Sequence, residues 1–538
     1  MSNRYLLRIF LLLLLIPAVF LQGCFFPAPQ ATTQPEAEEP PVIEEPAIDV
    51  LPDVMPPITG QFSLRYDPNS SLNPIMTLNR DNILLSSLLY ESLFVLNGSL
   101  DVAPLLADNW SSDDNVVFTF EIKPDIAMSD GSLLTADDVA YSLRQAMQRG
   151  RYVNRFRTVS SVAATGDLTV TVELYAPNSR FIRLLDVPII KNGSIESRIP
   201  PGTGPFIFAG TEEMRLDGFP GHRDYNKLPI STIYLRACND NELTELFDEG
   251  KLSFLWDDPA DVFDIRLNRL HDRRFYDTTM LQFIGFNANH IALRNPDVRR
   301  AISVSIERQF IIDSLMSGQA LAAPLALSPA FHLYDTDWEH RELPPLREMA
   351  ELLVRAGLED ANYCSFLELL DGFGGYYEFT IDFIVNRENI YKVNAAHMIT
   401  NSLRRNGLDV VVRELPWDRF ISALQTGDFD MYYGEIMLGA DFNLTPLLLP
   451  GGLNYGKTAS TEYRPYLEDF LTARTDDEIR WAAGRLVDEV MINAPFAPIL
   501  YKRHAVYTPI GAIFGIEPSQ SGAFFSFSDW VINMYMLT

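Results

Sequence analysis

Cysteine is nearly absent from these 538 residues, with Cys24, Cys238 and Cys364 as the whole complement. So few thiols make no disulfide framework, and the fold must rest on its cores; Cys238 and Cys364 either pair in an oxidising space or stay as buried free thiols. Basic charge is scarce too. With 43 Lys and Arg against 71 Asp and Glu the formal charge is -28, which excludes nucleic acid as a partner because a phosphate backbone needs a basic field. Such acidity keeps an exported protein soluble. Catalytic signatures are missing as well: no G-x-S-x-G, H-E-x-x-H or C-x-x-C occurs. The histidines His222, His271, His290, His332, His340, His397 and His504 lack metal-ligand spacing. Gly202-Thr203-Gly204 has the look of a phosphate loop, but Pro205 removes an N–H that such a cradle needs. These absences point away from an enzyme, and neither a cofactor nor a metal is expected.

What is present starts with Arg4 and Arg8, an apolar run from Ile9 to Leu21, and Leu21-Gln22-Gly23-Cys24. A basic start, an apolar stretch and a small residue at the cut make an export signal over residues 1–23. The run is shorter than the roughly 20 residues a spanning helix requires. The segment resembles a bacterial lipobox, in which the thiol of the new N-terminus is acylated, although Gln22 is bulkier than the usual residue. Cys24 is the expected lipidation site, and the outer face of the cytoplasmic membrane the expected location. Residues 24–57 are rich in Pro and Glu without apolar periodicity, too poor in burial to fold, and are expected to form a disordered, semi-stiff tether.

From Ile58 onward strand-like and helix-like stretches alternate, as in an α/β fold. Gln61–Tyr66 reads as a strand and Arg80–Leu96 as a helix, with turn-rich Asp67–Pro74 between them. Strand-end loops of this kind are where α/β proteins hold ligands. Val116–Ile122 and Leu168–Leu174 alternate as half-buried strands. Thr135 is placed as an N-cap, with Asp138 closing a capping box and Val139, Leu143, Ala146 and Met147 forming one stripe up to Gly150. Asn295-Pro296 opens a helix that turns Val298, Ile302, Ile306, Phe310 and Ile311 inward and runs to Gly318. Glu388–Asn406 is a further helix, stopped by Gly407 and followed by the strand Leu408–Val412. No repeat is visible, and the length predicts more than one core.

Several short blocks stand in a recognisable order. They are Leu106-Ala-Asp-Asn-Trp110; Ser129-Asp-Gly131 with Thr135-Ala-Asp-Asp-Val139; Gly202-Thr-Gly-Pro-Phe206; Asp224-Tyr225; Phe286-Asn287 with Asp297-Val-Arg-Arg-Ala301 and Glu307-Arg308; and Asp428-Phe-Asp-Met431 with Ala494-Pro495. Singly weak, together they resemble the bacterial extracellular solute-binding proteins of the peptide and nickel type, family 5, the receptors of ATP-driven importers. The resemblance implies an α/β, two-lobed periplasmic-binding-protein-like clamp of type II with an extra subdomain in the first lobe. Residues 58–100, 201–286 and 496–538 would build the first lobe, 101–200 its added subdomain and 287–495 the second lobe, hinged near Phe286 and Pro495.

The same resemblance implies capture of a peptide or similar amino-bearing solute and its delivery to an ABC permease, without chemistry on the ligand. It implies a monomer held at the membrane by its lipid anchor. A buried ligand ammonium needs a carboxylate, since an unpaired buried charge costs roughly 3–5 kcal/mol. Asp441 is the candidate for it, or Asn443 after a small shift of register. Arg387 is the candidate for a peptide carboxylate, and Tyr66, Asn69, Trp256, Trp417 and Tyr433 for the cleft lining. A sensor on the same fold is the alternative, and an extracellular hydrolase a remote third.

Overall fold

The computed structural model describes residues 60–537 except 211–212, 259, 261–264, 341–344, 372 and 459, so the export signal, Cys24 and the tether lie outside the described residues. No helix among the described residues is long and apolar enough to cross a membrane.

Three sheets organise the chain. Ser63–Arg65 pairs parallel with Thr232–Arg236, which continues antiparallel through Arg215–Gly218 to Phe206–Ala209. The aromatic residues Phe62, Phe206, Phe524, Phe527 and Trp530 fill the core beside it. An antiparallel sheet of Ala107–Ser111, Val117–Ile122, Thr169–Leu174 and Val159–Gly166 carries the helix Ala136–Gln148 on its inner face, with its own core from Leu93 to Ile189. The third, seven-stranded sheet runs Leu255–Asp257, Phe496–Pro509, His271–Phe286, Met431–Met437, Ile381–Asn386 and Val410–Leu415, with Ala320–Ala322 on the Phe496–Pro509 strand. Helices cover both of its faces and make two cores, one around Val298, Ile302 and Phe383, the other around Phe331, Phe442 and Leu486. This is the two-lobed clamp of type II with a subdomain added to the first lobe.

Two long strands join the lobes. His271–Phe286 and Phe496–Pro509 pair from His271↔Pro509 to Asp277↔Arg503, slip, and resume at Leu281↔Tyr501. Tyr276 and Val506 belong to the core that contains Phe62 and Trp530, Leu281 and Tyr501 to the one that contains Phe331 and Leu486. The slip therefore falls where the strands change cores.

Local signals explain most helix ends. Thr135 accepts from the Asp138 amide while Asp138 accepts from the Thr135 amide, the expected capping box, and Gly150 leaves the helix with φ of 68°. Asn295 caps Pro296–Ser305 by accepting from the Asp297 amide. Two helices differ from expectation. The Arg80 helix stops at Leu89, and Phe94–Leu96 is a strand, because the Leu89 carbonyl accepts from the Gly204 amide instead of continuing the helical ladder. A Cβ on Gly204 would lie 2.3 Å from the Leu89 carbonyl carbon, so the Gly-Thr-Gly-Pro turn is a close-packing device and not a phosphate loop. The helix expected to run to Gly318 is two, Pro296–Ser305 and Arg308–Met316. The break lets Arg308 turn inward to donate to the Ala323 and Pro498 carbonyls, each at 2.9 Å. It also resets the helical phase, leaving Phe310 58% exposed where the unbroken pattern puts it inside.

Candidate functional site

Parallel strands Ile381–Asn386 and Val410–Leu415 end side by side, and open α/β sheets hold ligands beyond such carboxyl ends. Arg387 and Trp417 stand there, both exposed, with the Trp417 amide donating to Glu388 Oε1 at 3.2 Å. Asn389 caps the helix Ile390–Arg405 and donates from Nδ2 to the Ala260 carbonyl at 3.1 Å. That bond ties this rim to the loop leaving Leu255–Asp257, which carries Trp256.

Trp256 is half-buried. Its indole donates to the Tyr276 hydroxyl at 2.5 Å, meets the His504 ring edge-on at 4.7 Å, and lies under the Arg80 guanidinium at 4.5 Å, an arrangement in which the ring quadrupole attracts the cation. Next to it Asp258 forms an ion pair with Lys502 and stands 3.6 Å from His504 Nε2. Glu435 Oε2 completes the cluster, 3.5 Å from Lys502, 3.3 Å from Lys392 and accepting from Gln282 at 2.8 Å. Burial works against both negative charges, yet His504 and Lys502 hold Asp258 below the usual carboxylate range. Lys502, Lys392 and Gln282 do the same for Glu435.

The other sequence candidates fall elsewhere. Tyr66 is buried against Phe208, where burial raises its hydroxyl pKa. Asn69 is exposed in a loop folded on itself: Asp67 accepts from the Asn69 amide at 3.0 Å, and buried Asn82 donates to the Asp67 and Ser71 carbonyls. Tyr433 is a core residue, stacked on Phe383 and donating to Gln282 Oε1 at 2.9 Å. Asp441 is buried, accepting from Asn178 Nδ2 at 2.8 Å. Asn443 closes a local turn on the Thr445 amide. Arg387 and Trp417 thus stand at adjacent strand ends, Trp256 lies on the strand whose following loop the Asn389–Ala260 bond ties to them, and Asp441 meets Asn178.

The profile described as bacterial extracellular solute-binding proteins, family 5 Middle, matches residues 101–452. The chain belongs to this family. It is the solute-binding component of an ABC importer and a binding protein, not an enzyme. It is similar to the oligopeptide-binding protein AppA of Bacillus subtilis (strain 168), 20% identical over 462 residues, covering 79% of this chain and 83% of that one. It also resembles the glutathione-binding protein GsiB of Escherichia coli (strain K12), 23% identical over 310 residues, but that match spans 54% of this chain and only 58% of GsiB. Among solved structures, AppA from Bacillus subtilis in complex with a nonapeptide aligns at TM-score 0.64 and 18% identity, covering 88% of this chain and 99% of that one. NikZ from Campylobacter jejuni in complex with Ni(L-His) aligns at 0.64 and 18%, covering 88% and 100%.

Against this family background the signature blocks of the solute-binding protein prove to be scaffolding. Arg299 donates to the Ala494, Leu293 and Asn493 carbonyls, and Asp430 accepts from the Asp382 amide. Sequence reasoning missed the Asp258–Lys502–Glu435–Lys392 cluster. The signal was Lys502-Arg503-His504 inside a strand whose other residues are uncharged and buried, since a charged residue at such a position needs a partner. The motif reading also overlooked Gly451-Gly-Leu-Asn-Tyr-Gly-Lys-Thr458, which has phosphate-loop spacing. No helix among the described residues starts at Lys457 or Thr458, the next helical turn beginning at Thr461. The Thr458 amide is taken by Asn454 Oδ1, and a Cβ on Gly456 would strike the Phe286 carbonyl at 1.6 Å, so the turn has no room for a phosphate. Among the described residues one group, Asp360, Cys364 and Glu368, brings metal-capable atoms within 4.8 Å of one another. Cys238 and Cys364 are free thiols.

Proposed function

We propose that the protein captures peptides or similar amino-bearing solutes outside the cytoplasmic membrane, as a monomer anchored through a lipid on Cys24. The relatives named for oligopeptides and glutathione support the solute class, and the Arg4-to-Cys24 signal supports the anchor. The observation that carries the reading is the Asn389–Ala260 bond, which ties the rim bearing Arg387 and Trp417 to the loop that follows the Trp256 strand. We assign the two indoles to the walls and Arg387 to a solute carboxylate, which a guanidinium binds as a fork. An extended peptide held through its backbone leaves side-chain choice loose. The lobes divide as residues 58–100, 201–286 and 496–538 against 287–495, with 101–200 added to the first. The hinge is assigned to the crossings near Phe286 and Pro495, where one joining strand ends and the other begins. Solute bound to both lobes stabilises the closed clamp by its differential affinity.

Native mass spectrometry of the soluble chain beginning after Cys24 tests this. A mass excess that vanishes on denaturation and fragments as a peptide is the expected result. No excess, together with no thermal shift from di- to pentapeptide mixtures, refutes the peptide class.

A further inference from the structure

Asp441 is the carboxylate that the family resemblance assigns to a ligand's ammonium, yet its surroundings are supplied by the chain itself. The tripeptide Asn178-Ser179-Arg180, which follows the strand Thr169–Leu174 of the added subdomain, reaches the second lobe through a dense set of bonds. Asn178 Nδ2 donates to Asp441 Oδ2 at 2.8 Å, and Arg180 Nε donates to the Asp441 carbonyl at 3.2 Å. Arg180 Nη1 donates to the Phe470 carbonyl at 2.7 Å, and its guanidinium lies 3.8 Å above the Phe470 ring. The Ser179 amide donates to the Leu471 carbonyl at 2.8 Å, and its hydroxyl to the Ala473 carbonyl at 2.5 Å. Asn178, Arg180 and Asp441 are only 2%, 5% and 2% exposed.

We propose that Asn178 and Arg180 take the place of a solute's cationic end at Asp441, so that this carboxylate is part of a clasp between the subdomain and the second lobe and is closed to the ligand. The inference rests on the solute-binding reading above and narrows it: the solute is recognised without an ammonium bond to Asp441. Two physical points support it. Burial pushes the Arg180 guanidinium down to about 10, with Asp441 opposing that shift, so Arg180 stays charged at neutral pH. A second cation brought to the same carboxylate would meet that charge where little water screens it. Both oxygens of Asp441 are also already engaged, Oδ2 by Asn178 Nδ2 and Oδ1 by the Asn443 amide.

Two measurements on the whole exported chain test the clasp. Small-angle scattering and amide exchange compare wild type with Arg180→Gln and with the milder Asn178→Ser, which keeps a hydroxyl should the first variant fold poorly. The expected result is a larger radius of gyration and faster exchange at the Ser179 amide in either variant. Unchanged scattering and exchange in a folded variant overturn the clasp. The second measurement sets trialanine against N-acetyl-trialanine. Wild type should bind both equally, and Arg180→Gln should gain preference for the free amine by about tenfold, the worth of one charge-assisted hydrogen bond. A wild-type preference for the free amine that Asp441→Asn abolishes overturns the closed subsite. If neither peptide binds to any variant, the peptide reading fails, while scattering and exchange still decide the clasp.

Discussion

Replacing Lys502 by Met should take from a buried ion cluster the one cation that Asp258 and Glu435 share. Lys502 is 4% exposed, paired with Asp258 and 3.5 Å from Glu435. Methionine fills nearly the same volume, so packing is kept and the charge alone is lost. Removing one partner of a buried pair costs roughly 3–5 kcal/mol, and here Asp258 keeps only His504 and Glu435 only Lys392 as a cationic partner. The pH dependence follows from the direction of the shifts. In wild type both acids are held below their ordinary values, so their contribution is present above the usual carboxylate range and is lost as pH falls through the lowered folded values. In the variant burial is opposed only by His504 at Asp258 and by Lys392 and Gln282 at Glu435, so both acids rise relative to wild type, folding is weakened at pH 7 and recovers as they take up protons. The difference between the proteins should therefore shrink from about pH 7 to about pH 4.5. Urea unfolding followed by far-UV circular dichroism at both pH values reads this directly. The double variant Lys502→Met, Asp258→Leu should recover much of the loss. A deficit under about 1 kcal/mol at pH 7, the size of an exposed surface pair, would refute the reasoning, as would an equal deficit at both pH values.

Three further outcomes follow from the local structure. Thr135→Ala removes the side-chain half of the capping box and should lower stability by about 0.5–2 kcal/mol in thermal melts. Gly204→Ala forces a methyl into the Leu89–Tyr90 backbone and should cost about 1–3 kcal/mol or more, visible as a lowered melting temperature and poor yield. Arg387→Ala, at an exposed position, should leave the urea midpoint within about 0.5 kcal/mol of wild type, while calorimetric affinity for a peptide with a free carboxylate falls and that for its amide does not.

Helix caps and strand alternation were legible because they are short-range. Thr135 with Asp138, Asn295 before Pro296 and Gly150 all act within one turn of chain. The Leu89 helix stop and the Ile306–Glu307 break were not legible, because each depends on a partner far along the sequence, Gly204 in one case and the Ala323 and Pro498 carbonyls in the other. The same limit applies at the site. Residue type could offer Trp256, Arg387 and Trp417 as candidates, but Asp441 meets Asn178 across 263 residues, and residue type alone cannot say that a buried carboxylate is already engaged. Tyr433 looked like cleft lining because an aromatic in a strand is equally suited to either face; its neighbours Phe383 and Gln282 place it in the core.

The ladder between His271–Phe286 and Phe496–Pro509 also describes how the molecule is assembled as a text. Gly285 and Phe496 are partners on its last rung, so everything between Phe286 and Phe496 is a parenthesis opened and closed at one point. In connectivity a hairpin turn of about two to five residues would join the ends that remain. In chemistry the excision would bare Leu281, Phe283 and Tyr501, whose cover comes from inside the parenthesis. Residues 287–495 are thus insertable as sequence and inseparable as solvent-excluding surface, which makes that rung the natural seam for grafting only when both sides of the ladder travel together.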